Sequence, residues 1–317
     1  MRLCRYVKDH QMQIGFYEET GVINIALAFE QLLQITPFEN LKEESTLLSF
    51  LPPDGSLAEQ TRQLFSLLAG LSEEQRQPLL QPVDSVDLLV PIASPSKLML
   101  LAGNYGKHIE EGGRDTAPER EETFPYVFMK PPLTTLTHPG SPVRIPEISP
   151  HHIDWELELG VIIGRQCKGV TESDALSHVA GYTVVNDISD RQFQPNPSRR
   201  KRDKDRFFDW LHGKWHDTFC PMGPCVLSSD SLPDPQTLEM KLSVNNDIKQ
   251  HASTADMIFP VSAVVAFVSS FVTLEPGDII STGTPHGVGS ATGTFLKSGD
   301  TLRAEIEHIG ILLNPVE

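Results

Sequence analysis

The stretch DWELELGVIIG, residues 154–164, constrains this chain more than any other. Read as a strand, its odd positions are apolar: Ile153, Trp155, Leu157, Leu159, Val161 and Ile163. The even positions at its head run His152, Asp154, Glu156 and Glu158, with no Lys, Arg, Ser or Thr between them. Residues two apart on a strand point the same way, about 6.5–7 Å apart, so Glu156 and Glu158 can lean toward one point. Like charges at that separation repel unless a cation or water compensates. A solvated strand face mixes Lys, Thr and Ser with its acids. This one does not, which favours a metal site over a face turned to solvent.

A second stretch offers a candidate third ligand. GYTVVNDISDRQFQ, residues 181–194, ends its apolar run at Val185 and then gathers Asn186, Asp187, Ser189, Asp190, Arg191 and Gln194. Taken alone, a polar loop and a site explain it equally well. Three carboxylates without a thiolate select a hard ion, Mg²⁺ or Mn²⁺, with Ca²⁺ admitted and zinc disfavoured.

Charge narrows the partners. The 42 acids outnumber the 26 Lys and Arg, for a net charge of −16, which argues against nucleic acid because phosphate binding needs clustered positive charge. The one basic run, RRKRDKDR at 199–206, has acids in and just beyond it and reads as a solvated loop. The longest apolar stretch, 261–274, contains Ser and Thr and is too short to span a bilayer, so no membrane partner is expected. Cys4, Cys167, Cys220 and Cys225 are scattered without knuckle spacing and read as reduced, buried thiols. With no apolar leader at the N-terminus, the expected location is cytoplasmic.

The pattern is α+β and β-rich. Short strands fill the first 30 residues (MRLCRYV, MQIGFYE, VINIALAF), and a helix is expected between 56 and 80, with Leu57, Leu64, Leu67 and Leu68 on one side. Prolines near residue 95 divide a small N-terminal β-rich module, 1–95, from a larger unit, 96–317. In the larger unit, strands are expected at WELELGVIIG, AGYTVVNDIS, MKLSVNN, GDIISTG and TLRAEIEHIGILL, and helices at 171–179 and 261–271. No Walker loop, Gly-x-Ser-x-Gly elbow or His-Glu-x-x-His is present. The Gly-rich GTPHGVGSATG, 283–293, lacks the setting of a dinucleotide site and reads as turn glycines.

Taken together, the pieces resemble the fumarylacetoacetate hydrolase family, of the acylpyruvase and 2-hydroxyhepta-2,4-diene-1,7-dioate isomerase type. Glu156-x-Glu158 is followed 29 residues later by Asp187 within VNDISDRQFQ. GNYGKHIEE, FMKPP, GKWHDTFCPMGP and ISTGTPHGVG occur in the family's order, over about two thirds of the chain. The resemblance implies a mixed β-sheet roll around the metal, usually in a homodimer. It makes Glu156, Glu158 and Asp187 the metal ligands and His108 with Glu111 the water-activating pair. It places Lys214 beside the substrate carbonyl, and gives Arg191, Gln194 and Thr284 the substrate's carboxylate or oxygens. By itself, a His with an acid one turn away is an ordinary surface pair.

The implied activity is metal-dependent hydrolysis of a C–C bond in an acylpyruvate-like, 1,3-diketo acid. The same scaffold would serve an isomerase or decarboxylase of a 2-oxo or 2-hydroxy-dienoic diacid in aromatic-acid degradation. A different class, a catalytically silent metalloprotein that binds a small 2-oxo acid, is disfavoured by the presence of His108, Glu111 and Lys214 together.

Overall fold

The computed structural model describes residues 1–33, 46–113 and 116–317. The leading part contains β1 (Arg2–Lys8), β2 (Gln11–Glu18), β3 (Gly21–Asn24), α1 (Ile25–Leu33), α2 (Ala58–Ala69), α3 (Glu73–Arg76), β4 (Leu80–Pro82) and β5 (Asp87–Leu89). Next come β6 (Leu98–Ala102), α4 (Gly106–Glu111), β7 (Tyr126–Met129), α5 (Pro132–Thr135), β8 (Leu136–Thr137), β9 (Ile153–Asp154) and β10 (Leu157–Ile163). They are followed by α6 (Glu172–Ala175), β11 (Val179–Asn186), β12 (Ser189–Asp190), α7 (Asp205–His212) and β13 (Cys220–Ser228). The chain finishes with β14 (Glu239–Val244), β15 (Asp247–Ser253), α8 (Val261–Phe271), β16 (Ile279–Ser281), α9 (Gly289–Thr292), β17 (Thr301–Ile306) and β18 (Gly310–Pro315).

One twelve-stranded mixed sheet runs through the described residues in the order β4-β3-β2-β1-β13-β11-β10-β16-β6-β7, with β5 on β1 and β8 on β13. β1 pairs antiparallel with β13 through Arg2↔Leu227 and Leu3↔Val226, so the leading strands continue the later sheet. A second, four-stranded antiparallel sheet has the order β15-β14-β17-β18. The central strands of the large sheet, β10, β11 and β13, are buried on both faces. Leu157, Leu159, Val161 and Ile163 of β10 pack into one core with Trp155, Leu242, Leu302 and Val264, while Ile162 joins a second core with Phe16, Leu100 and Val226. The fold is thus a β-rich α+β roll with the leading module attached.

The strand order brings the site together. β11 and β16 flank β10 and both run antiparallel to it, through Leu157↔Asn186 and Gly160↔Ser281. The start of β10 therefore lies beside the ends of β11 and β16. β6 is parallel to β16 and delivers α4 to the same end, and the segment before β13 arrives there from the other side.

Several expectations shift at this level. VINIALAF is not one strand: β3 stops at Asn24, whose Oδ1 accepts the Leu27 N–H and starts α1. WELELGVIIG breaks at its head, because side chains replace the ladder there. Trp155 N–H donates to Asp154 Oδ1, Glu156 N–H to Asn186 Oδ1 and Leu157 N–H to Gln250 Oε1. The expected 56–80 helix is cut at Gly70, with Leu64 and Leu68 buried and Leu67 exposed. TLRAEIEHIGILL folds back as the β17–β18 hairpin, with His308 at φ 64° in the turn. The basic run is only partly a loop, since α7 begins at Asp205. The helix at 261–271 forms as read, with Pro260 at its N-cap. All four cysteines are free and buried.

Candidate metal and catalytic site

Glu156, Glu158 and Asp187 place one carboxylate oxygen each within 4.8 Å of one another, and all three are buried. Such a cluster needs compensation, and three cations supply part of it. Lys214 Nζ donates to Glu156 Oε2 at 2.8 Å and to Asp187 Oδ2 at 2.6 Å. Arg191 reaches Glu156 Oε1 at 2.6 Å. Lys130, fully buried, lies 2.5 Å from Asp187 Oδ1 and also donates to the carbonyls of Ile188 and Phe219.

Their effects on the two glutamates are opposite. Burial acts against ionisation of Glu156, but Lys214 and Arg191 outweigh it and hold its carboxyl below the usual carboxylate range. Burial, reinforced by the Asp187 and Glu156 charges, pushes Glu158 well above that range. Glu158 Oε2 accepts from Ser281 Oγ at 2.5 Å and from Gly283 N–H at 2.9 Å. Its Oε1 is buried without a hydrogen-bond partner among the described residues. A buried, unpartnered carboxylate oxygen facing two other carboxylates is what a hard divalent cation would satisfy. The oxygen-only donor set fits Mg²⁺ or Mn²⁺.

The remaining acid of the opening motif does something else. Asp154 Oδ1 accepts from Gly289 N–H at 2.6 Å, and Oδ2 accepts from Ser290 N–H at 2.9 Å and from Arg191 Nε at 2.8 Å. It therefore ties the loop entering α9 to the arginine that holds Glu156. The same loop reaches the second constellation. Glu111 Oε2 accepts from Gly287 N–H at 2.9 Å, and its Oε1 lies 2.8 Å from His108 Nδ1. α4 is helical, which sets His108 and Glu111 one turn apart. Burial opposes ionisation of Glu111, but His108 and the Gly287 N–H more than offset it, leaving its carboxyl below its ordinary value. His108, Glu111 and Arg191 line one cavity of about 800 Å³.

The remaining residues named from sequence fall differently. Thr284 is buried, and its Oγ1 accepts from Gln250 Nε2 at 2.8 Å. Gln194 is exposed and lines a neighbouring cavity with Arg191, away from the one that His108 and Glu111 line.

Two features escaped sequence reasoning. Lys130 in FMKPP carried no assigned role; its only signal was a lysine set between apolar residues and a proline pair. The glycines of 283–289 are more than turn residues, because Gly283, Gly287 and Gly289 each give a backbone N–H to a site carboxylate. A Cβ on Gly287, which sits at φ +96°, would meet the Lys249 carbonyl oxygen at 2.1 Å.

One human mitochondrial oxaloacetate tautomerase is 39% identical over all of this chain and 91% of its own length. Among solved structures, the 2-hydroxyhepta-2,4-diene-1,7-dioate isomerase of Mycobacterium marinum superposes with a TM-score of 0.67 at 29% identity, covering 100% of this chain and 98% of that one. The maleylpyruvate hydrolase of Sphingobium sp. SYK-6, solved with manganese(II) and pyruvate, gives 0.68 at 28% identity over the same shares. The pattern of the fumarylacetoacetate (FAA) hydrolase C-terminal family matches residues 97–317. With that match over most of its length, the chain belongs to the fumarylacetoacetate hydrolase family.

Proposed function

We propose that this protein is a divalent-metal-dependent enzyme that forms and reprotonates the enolate of a small 2-oxo acid, and that keto–enol tautomerisation of a 2-oxo diacid is its principal reaction. The observation that carries the reading is the pairing of a buried three-carboxylate cluster with a His–Glu dyad on the adjoining cavity. The full-length similarity to an oxaloacetate tautomerase supports the choice of reaction.

Glu156, Glu158 and Asp187 would hold Mg²⁺ or Mn²⁺, with Ca²⁺ admitted, and the cation would supply Lewis-acid polarisation of the 2-oxo group. The chain's own groups do the rest. Glu111 fixes His108 through Nδ1 and leaves Nε2, which has no partner among the described residues, to take a proton. In tautomerisation that proton comes from C3 of the substrate, and returning it to C3 restores the keto form. Lys214, held by Glu156 and Asp187, keeps positive charge beside the cluster, where negative charge develops on the substrate oxygen. Arg191 and Thr284 would orient the substrate's oxygens. Gln194 would join them only after moving from its exposed position.

The dyad favours a second reading, C–C hydrolysis of an acylpyruvate-like acid. There His108 Nε2 takes its proton from water, the resulting hydroxide attacks the distal carbonyl, and the C–C bond breaks to leave an enolate and a carboxylic acid. NMR product analysis separates the two. Tautomerisation gives solvent deuterium at C3 of oxaloacetate with the carbon skeleton intact, whereas hydrolysis turns an acylpyruvate into pyruvate and a second acid. Cleavage without C3 exchange of oxaloacetate would reverse the order of the readings. Neither reaction would overturn both. A homodimer is part of the proposal, and a strict monomer by light scattering would count against it.

A further inference from the structure

The basic run 199–206 ends in a residue that the site reading leaves unused. Arg206 is the second residue of α7, and it lines both the cavity of His108 and Glu111 and the neighbouring one of about 570 Å³. The other cationic groups of the first cavity each hold a protein carboxylate. His108 is bound to Glu111, and the Arg191 guanidinium to Asp154 and Glu156. Arg206 alone among them, within the described residues, has no hydrogen bond or ion pair with the protein. Its base is nevertheless fixed. Asp205 accepts from the Arg202 backbone N–H at 3.0 Å and from Arg199 Nε at 3.1 Å, and Arg199 also binds Asp209 one turn on, which fastens the start of α7.

We infer that Arg206 is the specificity residue of this cavity and receives the distal carboxylate of a 2-oxo diacid, selecting diacids over monoacids of the same length. The inference rests on the proposed 2-oxo-diacid site and adds the residue that reads the second carboxylate. Arg191 and the cluster take the proximal carboxylate and 2-oxo group, and a second carboxylate in this cavity would meet Arg206, the cavity guanidinium without a protein partner among the described residues. A guanidinium offers a carboxylate two parallel N–H donors, which a methyl group cannot use. Because Arg206 is exposed, the preference should be largest at low ionic strength and fall as salt is added.

The test is calorimetric binding to the Mg²⁺-loaded protein of oxaloacetate and of 2-oxobutanoate, which carries a methyl in place of the second carboxylate. Wild type should bind the diacid about tenfold or more tightly. Arg206→Met should bring the ratio of the two dissociation constants close to one, and Arg206→Lys should restore part of it. An unchanged ratio in Arg206→Met overturns the inference, as does a wild type that binds both acids equally. Turnover separates the underlying reading: a wild type that prefers the diacid through Arg206 but exchanges no C3 proton keeps this assignment and removes the enzymatic one. C3 exchange that is equal in wild type and Arg206→Met, with an equal binding ratio, does the reverse.

Discussion

The Asp154 carboxylate and the Arg191 guanidinium meet at 2.8 Å, and each group holds further partners. Asp154 takes the Gly289 and Ser290 N–H groups, while Arg191 takes Glu156. One buried acid thus joins the loop that holds Glu111 to the arginine that holds Glu156. Asp154→Asn should lower stability by about 3 kcal/mol, because it breaks a buried pair and turns an amide N–H₂ toward existing donors. Denaturant unfolding measures this. A loss under about 0.5 kcal/mol, the range of an ordinary surface substitution, would show that the network is not coupled as described.

Glu158→Ala should abolish metal binding without unfolding the protein. The side chain brings an oxygen with no hydrogen-bond partner, and its removal relieves repulsion with Asp187 and Glu156. Metal content after dialysis, by elemental analysis, decides the matter. Content equal to wild type would remove Glu158 from the ligand set.

His108→Ala should keep the metal and slow C3 proton exchange by about 10²–10⁴-fold, the usual contribution of a positioned base. Among the described residues His108 makes no hydrogen bond to the three carboxylates and is held by Glu111, so metal content should not change. Exchange at the wild-type rate would take His108 out of the mechanism.

Glu158 also predicts how stability responds to pH. Burial and its acidic neighbours raise its folded-state pKa, while in the unfolded chain a glutamate titrates near about 4.3. Above that value the folded, metal-free protein keeps a proton that the unfolded chain has released, so on this group's account stability falls as pH rises, until the folded pKa is passed. Glu156 shifts the other way, and its contribution is present above the unfolded pKa and lost as pH falls. A cation takes the place of the Glu158 proton. The Tm gap between Mg²⁺-loaded and chelated protein should therefore widen from about pH 5 to about pH 8, and Glu158→Gln should remove the widening. A gap independent of pH would contradict this.

Much of the site was legible because strand periodicity and residue chemistry act locally. Glu156 and Glu158 two apart, and Asp187 at the end of an apolar run, needed only strand geometry to be suspected of sharing a point. What the periodicity could not show was that the even face of β10 changes character along its length, from Glu158 at the site to Ile162 in a second core. Nor could it show that Asp154, beyond the break at the head of the motif, serves a loop more than 130 residues away. The roles of Lys130 and of the glycines at 283, 287 and 289 depend on β16 lying beside β10 and on backbone N–H direction, neither of which leaves a mark in composition. The helix α1 was missed because its start depends on one side-chain cap, Asn24 on Leu27. α7 was hidden by the charge around its start, where Asp205 and Asp209 bind Arg199 instead of facing water alone.

The central claim is that the Glu156, Glu158 and Asp187 cluster holds a hard divalent cation on which enolate chemistry at a 2-oxo acid depends. The most direct test is solvent deuterium incorporation at C3 of oxaloacetate, followed by NMR with Mg²⁺ or Mn²⁺ and again after chelation, corrected for the uncatalysed rate. The account predicts exchange that is lost on chelation, restored by either ion and absent in Glu158→Ala. Exchange that persists undiminished in the chelated protein would contradict it.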